Sequence, residues 1–275
     1  VNSILLFGIS TCALALGAPA PALMKIALPV IPGISRADIY VTPSPGNPAG
    51  TLILCPGHNG NGEGMADDRE WSGFARKQNL NLVGLSFASN DDAPKRAYFL
   101  AETGSGEILL AGLKKAFGSR RVPLLFYGFS RGAQFTYTFA RWKPELVIAW
   151  CAYSATAWEN PKADMRAARG IIACGDEDEP NYSLAVDQFL RGRSLAEPWT
   201  WVSLAQWGHT PSASLEAFAR TYFAAVLRNP TRKGLWLDVD NKMPITAADF
   251  ERYPTLAAWL PDDDTAKAWK DLHQP

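Results

Sequence analysis

The stretch LLFYGFSRGAQF, residues 124–135, runs from an unbroken apolar segment through Gly128, Ser130 and Gly132 into a helical pattern. A strand buried on both faces reads as continuous apolar residues, and small residues on either side of a serine let a strand turn sharply into a helix. Two readings of Ser130 compete. It is either a hydroxyl that caps the helix or a nucleophile raised on a tight turn. A serine hydroxyl is a weak nucleophile, so the second reading requires a base within reach, a group that orients the base, and N–H donors for an oxyanion.

Each requirement can be sought separately. The chain has three histidines, at 58, 209 and 273. His209, in AQWGHTPS, follows the last strand pattern and precedes the last long helix, at the end of a sheet where it could face Ser130; it is the expected base. His273, near the end of the sequence, is expected to be solvated. The acid should follow the preceding strand, where IIACGDEDEP supplies Asp176, Glu177, Asp178 and Glu179. Asp178 stands far enough past Gly175 for the chain to turn its carboxylate under the imidazole, with Asp176 as the alternative; the glutamates suit the acidic start of a helix. Oxyanion donors are expected from the backbone N–H of Arg131 and from His58 or Asn59 in the glycine-rich loop of LILCPGHNGNGEG.

The rest of the chain supplies a frame for these residues. Strand patterns begin at ADIYVT (37), TLILCPG (51), LNLVGLSF (80), VPLLFYG (122), LVIAWCAY (146), GIIACG (170) and WTWVSLA (199). Helical patterns alternate with them over residues 105–117, 131–142, 183–193 and from Ser212, a candidate N-cap. Such alternation predicts a doubly wound, mostly parallel sheet of seven to eight strands with helices on both faces, and ligand sites beyond the carboxyl ends of the strands. The spacing from Ser130 to Asp178 is largely used by a strand and its return, so no large lid fits there and an open cleft is expected. Trp207, beside His209, and Trp158, past another strand end, are candidates to line that cleft and bind substrate.

Residues 23–230 form the expected main domain. Residues 231–275 read as an extension packed on it, with helical pieces over 247–259 and 265–272. Residues 1–22, an apolar run followed by Ala18-Pro19-Ala20, read as a secretory signal; Cys12 lacks the small preceding residue that a lipoprotein cleavage site needs. Removal of this segment leaves Cys55, Cys151 and Cys174; a Cys151–Cys174 bridge and three free thiols are both open, with the thiols favoured. Lys plus Arg and Asp plus Glu balance at 27 each, so charge argues for neither nucleic acid nor an anionic membrane as partner. DVDNK at 238–242 lacks the central Gly and closing Glu of a calcium loop, DDRE at 67–70 and DDD at 262–264 read as a helix start and a solvated turn, and neither a metal nor a cofactor is expected.

Taken in order, PGHNG, Ser130 in GFSRG, Asp178 in GDED and His209 in WGH resemble the α/β-hydrolase family over about residues 37–228. The resemblance implies an eight-stranded sheet and a serine carboxylic-ester hydrolase that works through an acyl-enzyme. Within the family the chain is similar to the polyhydroxybutyrate depolymerase, feruloyl esterase and dienelactone hydrolase groups, although dienelactone hydrolases use a cysteine nucleophile where Ser130 stands. PGHNG also departs from the usual HGGG or HG form of the oxyanion loop. The expectation is a secreted or periplasmic esterase for an acylated carbohydrate, a polyester or a small ester. The alternatives are a serine peptidase of the same fold and a non-catalytic binding protein that retains the fold.

Overall fold

The computed structural model describes residues 22–90, 97–118, 123–165, 168–229, 231 and 233–272. The leader-like segment, apart from Ala22, and His273 lie outside the described residues. Eight strands form the main sheet: β1 (Met24–Ala27), β2 (Ile34–Thr42), β3 (Gly50–Cys55), β4 (Leu80–Ser89), β5 (Leu124–Phe129), β6 (Val147–Tyr153), β7 (Arg169–Gly175) and β8 (Trp199–Leu204). Their order is β1-β2-β4-β3-β5-β6-β7-β8. The pairs β1–β2 and β2–β4 are antiparallel, and every later pair is parallel.

Alternate residues of the central strands serve different faces, which is why these strands are apolar without alternation. In β5, Leu124 and Phe126 join one core cluster while Leu125 and Tyr127 join the other; Ile53 and Cys55 are likewise divided from Leu52 and Leu54 in β3. The first cluster takes its helical side chains from α3 (Ser105–Phe117), α4 (Arg131–Trp142) and α5 (Asn181–Ser194). The second takes most of them from α2 (Arg69–Lys77) and α6 (Ala213–Arg228). Trp71, Trp150 and Trp199 are fully buried between these layers, and full burial of a large apolar side chain stabilises by about 1.5–3 kcal/mol. The three described cysteines are buried free thiols.

Helix starts follow local chemistry. Asp68 accepts from the N–H groups of Glu70 and Trp71 to cap α2, and the Ser212 hydroxyl accepts from Leu215 N–H to cap α6. A short α1 (Glu63–Asp67) precedes α2.

The C-terminal part departs from the helical expectation. After α7 (Ala247–Arg252) a turn at Pro254 ends the helix, and Ala257–Leu260 is a strand, β10, paired antiparallel with β9 (Leu235–Asp238). A last helix, α8, spans Asp263–Leu272. These elements lie against β8, an edge strand whose outward carbonyls would otherwise need water. Trp269 Nε1 donates to Trp201 O at 2.7 Å, and Thr200 Oγ1 donates to Trp259 O. Arg193 adds donors to the carbonyls of Ala257, at 2.8 Å, and Pro254, at 3.1 Å. A covered edge removes a template for pairing with another chain.

Candidate active site

Strand register brings distant residues to one end of the sheet. Cys55 pairs with Gly128, Phe129 with Tyr153, Tyr153 with Ala173, and Gly175 with Leu204. The loops that follow these five strand ends therefore open side by side.

Ser130 occupies the turn from β5 into α4 with φ 56° and ψ −122°, a strained backbone for a residue with a side chain. Its N–H donates to Tyr153 O at 2.9 Å and its carbonyl accepts from Gln134 N–H at 3.1 Å. Two glycines make the turn possible. A Cβ at 128 would lie 2.3 Å from Gly132 O, and a Cβ at 132 would lie 2.2 Å from Cys55 O.

From the far side of the sheet, His209 reaches Ser130. Its Nε2 is 2.9 Å from Ser130 Oγ, and its Nδ1 is 2.8 Å from Asp178 Oδ2. An imidazole protonated on Nδ1 donates to the carboxylate and turns the Nε2 lone pair toward the serine hydroxyl. The Phe129 ring lies 5.0 Å from the imidazole, centroid to centroid, and limits its swing.

Asp178 is buried, whereas Asp176 is exposed. Burial by itself would raise the Asp178 carboxyl, but hydrogen bonds from Asn181, His209 and Ser154 outweigh it and hold the group below its ordinary value. Asn181 Nδ2 donates to Oδ1 at 2.8 Å, and Cys174 Sγ lies 3.6 Å from Oδ2. Asp176 serves the loop instead. Its Oδ1 accepts from Trp207 N–H at 3.3 Å and ties the segment that carries His209 to the end of β7. Thr210 O in the same loop receives the Tyr153 hydroxyl at 2.5 Å and the Trp207 indole N–H at 3.0 Å. Trp207 is partly exposed and borders a pocket with Ser212, Ser214 and Leu272. Trp158 packs into the apolar cluster of the α4 face, edge-on to Tyr137 at 5.1 Å.

The loop after β3 is fixed from several directions. Arg36 donates to the carbonyls of Asn59, at 2.6 Å, and Gly60, at 2.7 Å. Asn59, with φ 52°, accepts from Ser89 N–H through Oδ1 at 3.0 Å. Tyr98 donates its hydroxyl to Gly57 O at 3.4 Å, and burial pushes its phenol up. The N–H groups of His58, Asn59 and Arg131 have no backbone acceptor among the described residues. A helix N-terminus and a glycine-rich loop with uncommitted N–H groups can together hold an oxyanion.

Asn181, Cys174, Tyr98 and Tyr153 support the site without being expected from the sequence. Asn181 had a signal: it stands three residues past Asp178 at the start of a helix, where an amide can turn back onto the carboxylate. The phenols had none, because their partners are set by tertiary packing. Among the described residues no three histidine, cysteine or acidic side chains come together in a way that could hold a metal ion.

No protein-family model and no curated protein sequence matches the chain. Solved structures do. A ferulic acid esterase aligns with a TM-score of 0.56 and 14% identity over 75% of this chain and 97% of its own. A CE1 ferulic acid esterase from the anaerobic fungus Anaeromyces mucronatus gives 0.55 and 12% over 74% of this chain and 90% of its own. S-formylglutathione hydrolase from Staphylococcus aureus gives 0.55 and 14% over 75% and 98% respectively. Strand order, the antiparallel second strand and these likenesses agree: the chain has the α/β-hydrolase fold.

Proposed function

We propose that the protein is a serine hydrolase of carboxylic esters, and the observation that carries the proposal is the continuous chain Ser130 Oγ–His209 Nε2 and His209 Nδ1–Asp178 Oδ2, at 2.9 and 2.8 Å, built on a strained strand-to-helix turn. His209 takes the hydroxyl proton as Ser130 Oγ bonds to the ester carbonyl carbon. Asp178 holds the imidazole and stabilises the imidazolium. The oxyanion is received by the N–H group of Arg131 and by that of His58 or Asn59 in the loop after β3. His209 returns the proton to the departing alcohol oxygen as the ester C–O bond breaks. A water then attacks the acyl-enzyme with the same base, releasing the carboxylic acid and restoring Ser130.

The connection from β6 to β7 carries no α-helix among its described residues, which supports an open cleft and a substrate presented at a surface: an acylated carbohydrate, a polyester or a small ester. The likeness to ferulic acid esterases supports the first of these. Export rests on the composition of residues 1–22 and is checked by N-terminal sequencing of the protein recovered from culture medium or periplasm.

Release of p-nitrophenol from its acetate and butyrate esters tests the activity. Turnover by the wild type and its loss in Ser130→Ala are expected. A wild type that hydrolyses neither ester, nor acetylated xylan, feruloylated sugars or hydroxyalkanoate oligomers, would make the protein a non-catalytic member of the fold. Equal turnover by Ser130→Ala would remove Ser130 from the reaction.

A further inference from the structure

We infer that the Arg131 guanidinium is a recognition site for an anionic group, a carboxylate, that the ester substrate carries close to its scissile bond; the inference rests on the esterase reading of Ser130. Arg131 follows Ser130 directly and is the first residue of α4, so its side chain leaves the same turn as the hydroxyl. Its position is fixed. Nη1 donates to Oε1 of the buried Gln134 at 2.7 Å, and the guanidinium carbon lies 4.4 Å from the centre of the Phe99 ring. Phe99 is held in turn, because its carbonyl accepts from Thr138 Oγ1 at 2.8 Å, and its neighbour Tyr98 is bonded to Ser89 Oγ through its N–H at 2.6 Å and to Gly57 O through its hydroxyl. The cation thus stands between the turn that bears Ser130 and the segment that braces the loop of Gly57 to Gly60.

What sets this guanidinium apart is that its charge and most of its donors are uncommitted. A guanidinium has five N–H groups, and among the described residues those of Arg131 find one acceptor, the neutral Gln134 amide. No carboxylate forms an ion pair with it there. Glu102, three residues past Phe99, is 3.0 Å from Arg141, and Asp178 is taken by His209 and Asn181. The second guanidinium near this loop, that of Arg36, is spent on the carbonyls of Asn59, Gly60 and Ser86. A half-buried arginine stacked on an aromatic face, its direction set by one hydrogen bond and its remaining donors free, is arranged to receive a planar anion through paired N–H···O bonds. An arginine that only packed on Phe99 would give no preference for charge.

The test compares esters that differ only in charge. Monoethyl glutarate and its terminal amide place the difference in the acyl part; 4-acetoxybenzoate and 4-acetoxybenzamide place it in the alcohol part. The readout is the carboxylate-to-amide ratio of kcat/KM within one enzyme, so a general loss of activity on substitution does not enter. The wild type should favour the carboxylate about tenfold in one of the two pairs, as expected for a charge-assisted contact that is partly screened by water. That ratio should fall toward one in Arg131→Gln and, without any substitution, in 1 M KCl. A wild-type ratio at or below one in both pairs, or a preference that Arg131→Gln and salt leave intact, would overturn the inference. Absence of hydrolysis in all four esters together with that of p-nitrophenyl acetate would instead overturn the esterase reading itself.

Discussion

The two halves of the candidate site are held by different means. On the side of β3 and β5, the backbone does the positioning: Ser130 sits at a positive φ between Gly128 and Gly132, and the chain passes so close to itself that a methyl group at either glycine would meet a carbonyl oxygen. On the side of β7 and β8, side chains do it. Asp178 is gripped by Asn181 and His209, and the His209 loop hangs from Asp176, Tyr153 and its own Trp207. The nucleophile half should therefore tolerate little change and lose stability and activity together. The acid–base half should lose activity through single hydrogen bonds while the fold stands.

The largest effect is expected on the acid–base side. Asp178→Asn should lower kcat by about 10⁴-fold, because an amide cannot hold the imidazole in the needed tautomer or stabilise the imidazolium; cooperative thermal unfolding should persist. Asp176→Asn should cost far less, and the two together separate the catalytic carboxylate from the one that ties a loop. On the nucleophile side, Gly132→Val should destabilise by about 3 kcal/mol, with activity lost in step, as read by urea unfolding beside a p-nitrophenyl butyrate assay.

Asn181→Ala sharpens the contrast through pH. Hydrogen bonds hold the Asp178 carboxyl below its ordinary value against burial, which by itself would raise it. A carboxyl lowered in the folded state contributes stability that is present above its unfolded value and is lost as the pH falls through the folded one. Removal of the Asn181 donor should move the folded value upward and cost about 1.5 kcal/mol at neutral pH. The difference from wild type should vanish in acid, where both proteins carry the protonated group. Unfolding at a series of pH values checks the sign. The smallest effect belongs to Trp207→Phe, which keeps a ring but loses the bond to Thr210 O; a decrease of about threefold in kcat is expected from one neutral hydrogen bond.

How far the sequence could be read follows the same division. The half built from backbone geometry is local in sequence, so LLFYGFSRGAQF already carried strand, turn and helix, and the apolar runs located seven of the eight strands of the main sheet. The eighth, β1, is four residues long, too short for alternation to register, and lies at the exposed edge. The half built from side chains is less local. Asp176 and Asp178 are alike in a string of four acids, and burial, which a sequence does not display, divides them. Asn59 and His58 are adjacent, and nothing in their order tells which N–H turns toward an oxyanion. At the C-terminal end, Ala257 to Trp259 read as the end of a helical piece but belong to a strand paired with β9, because the covering of the β8 edge favours a strand there.

Covalent labelling tests most directly whether Ser130 is an activated nucleophile. A fluorophosphonate reacts with a serine only where a base draws off its proton. Intact-mass measurement and peptide mapping should find one adduct, on Ser130, absent in Ser130→Ala and formed far more slowly in His209→Ala. A folded wild-type protein that takes no label, or takes it on another residue, would contradict an activated Ser130.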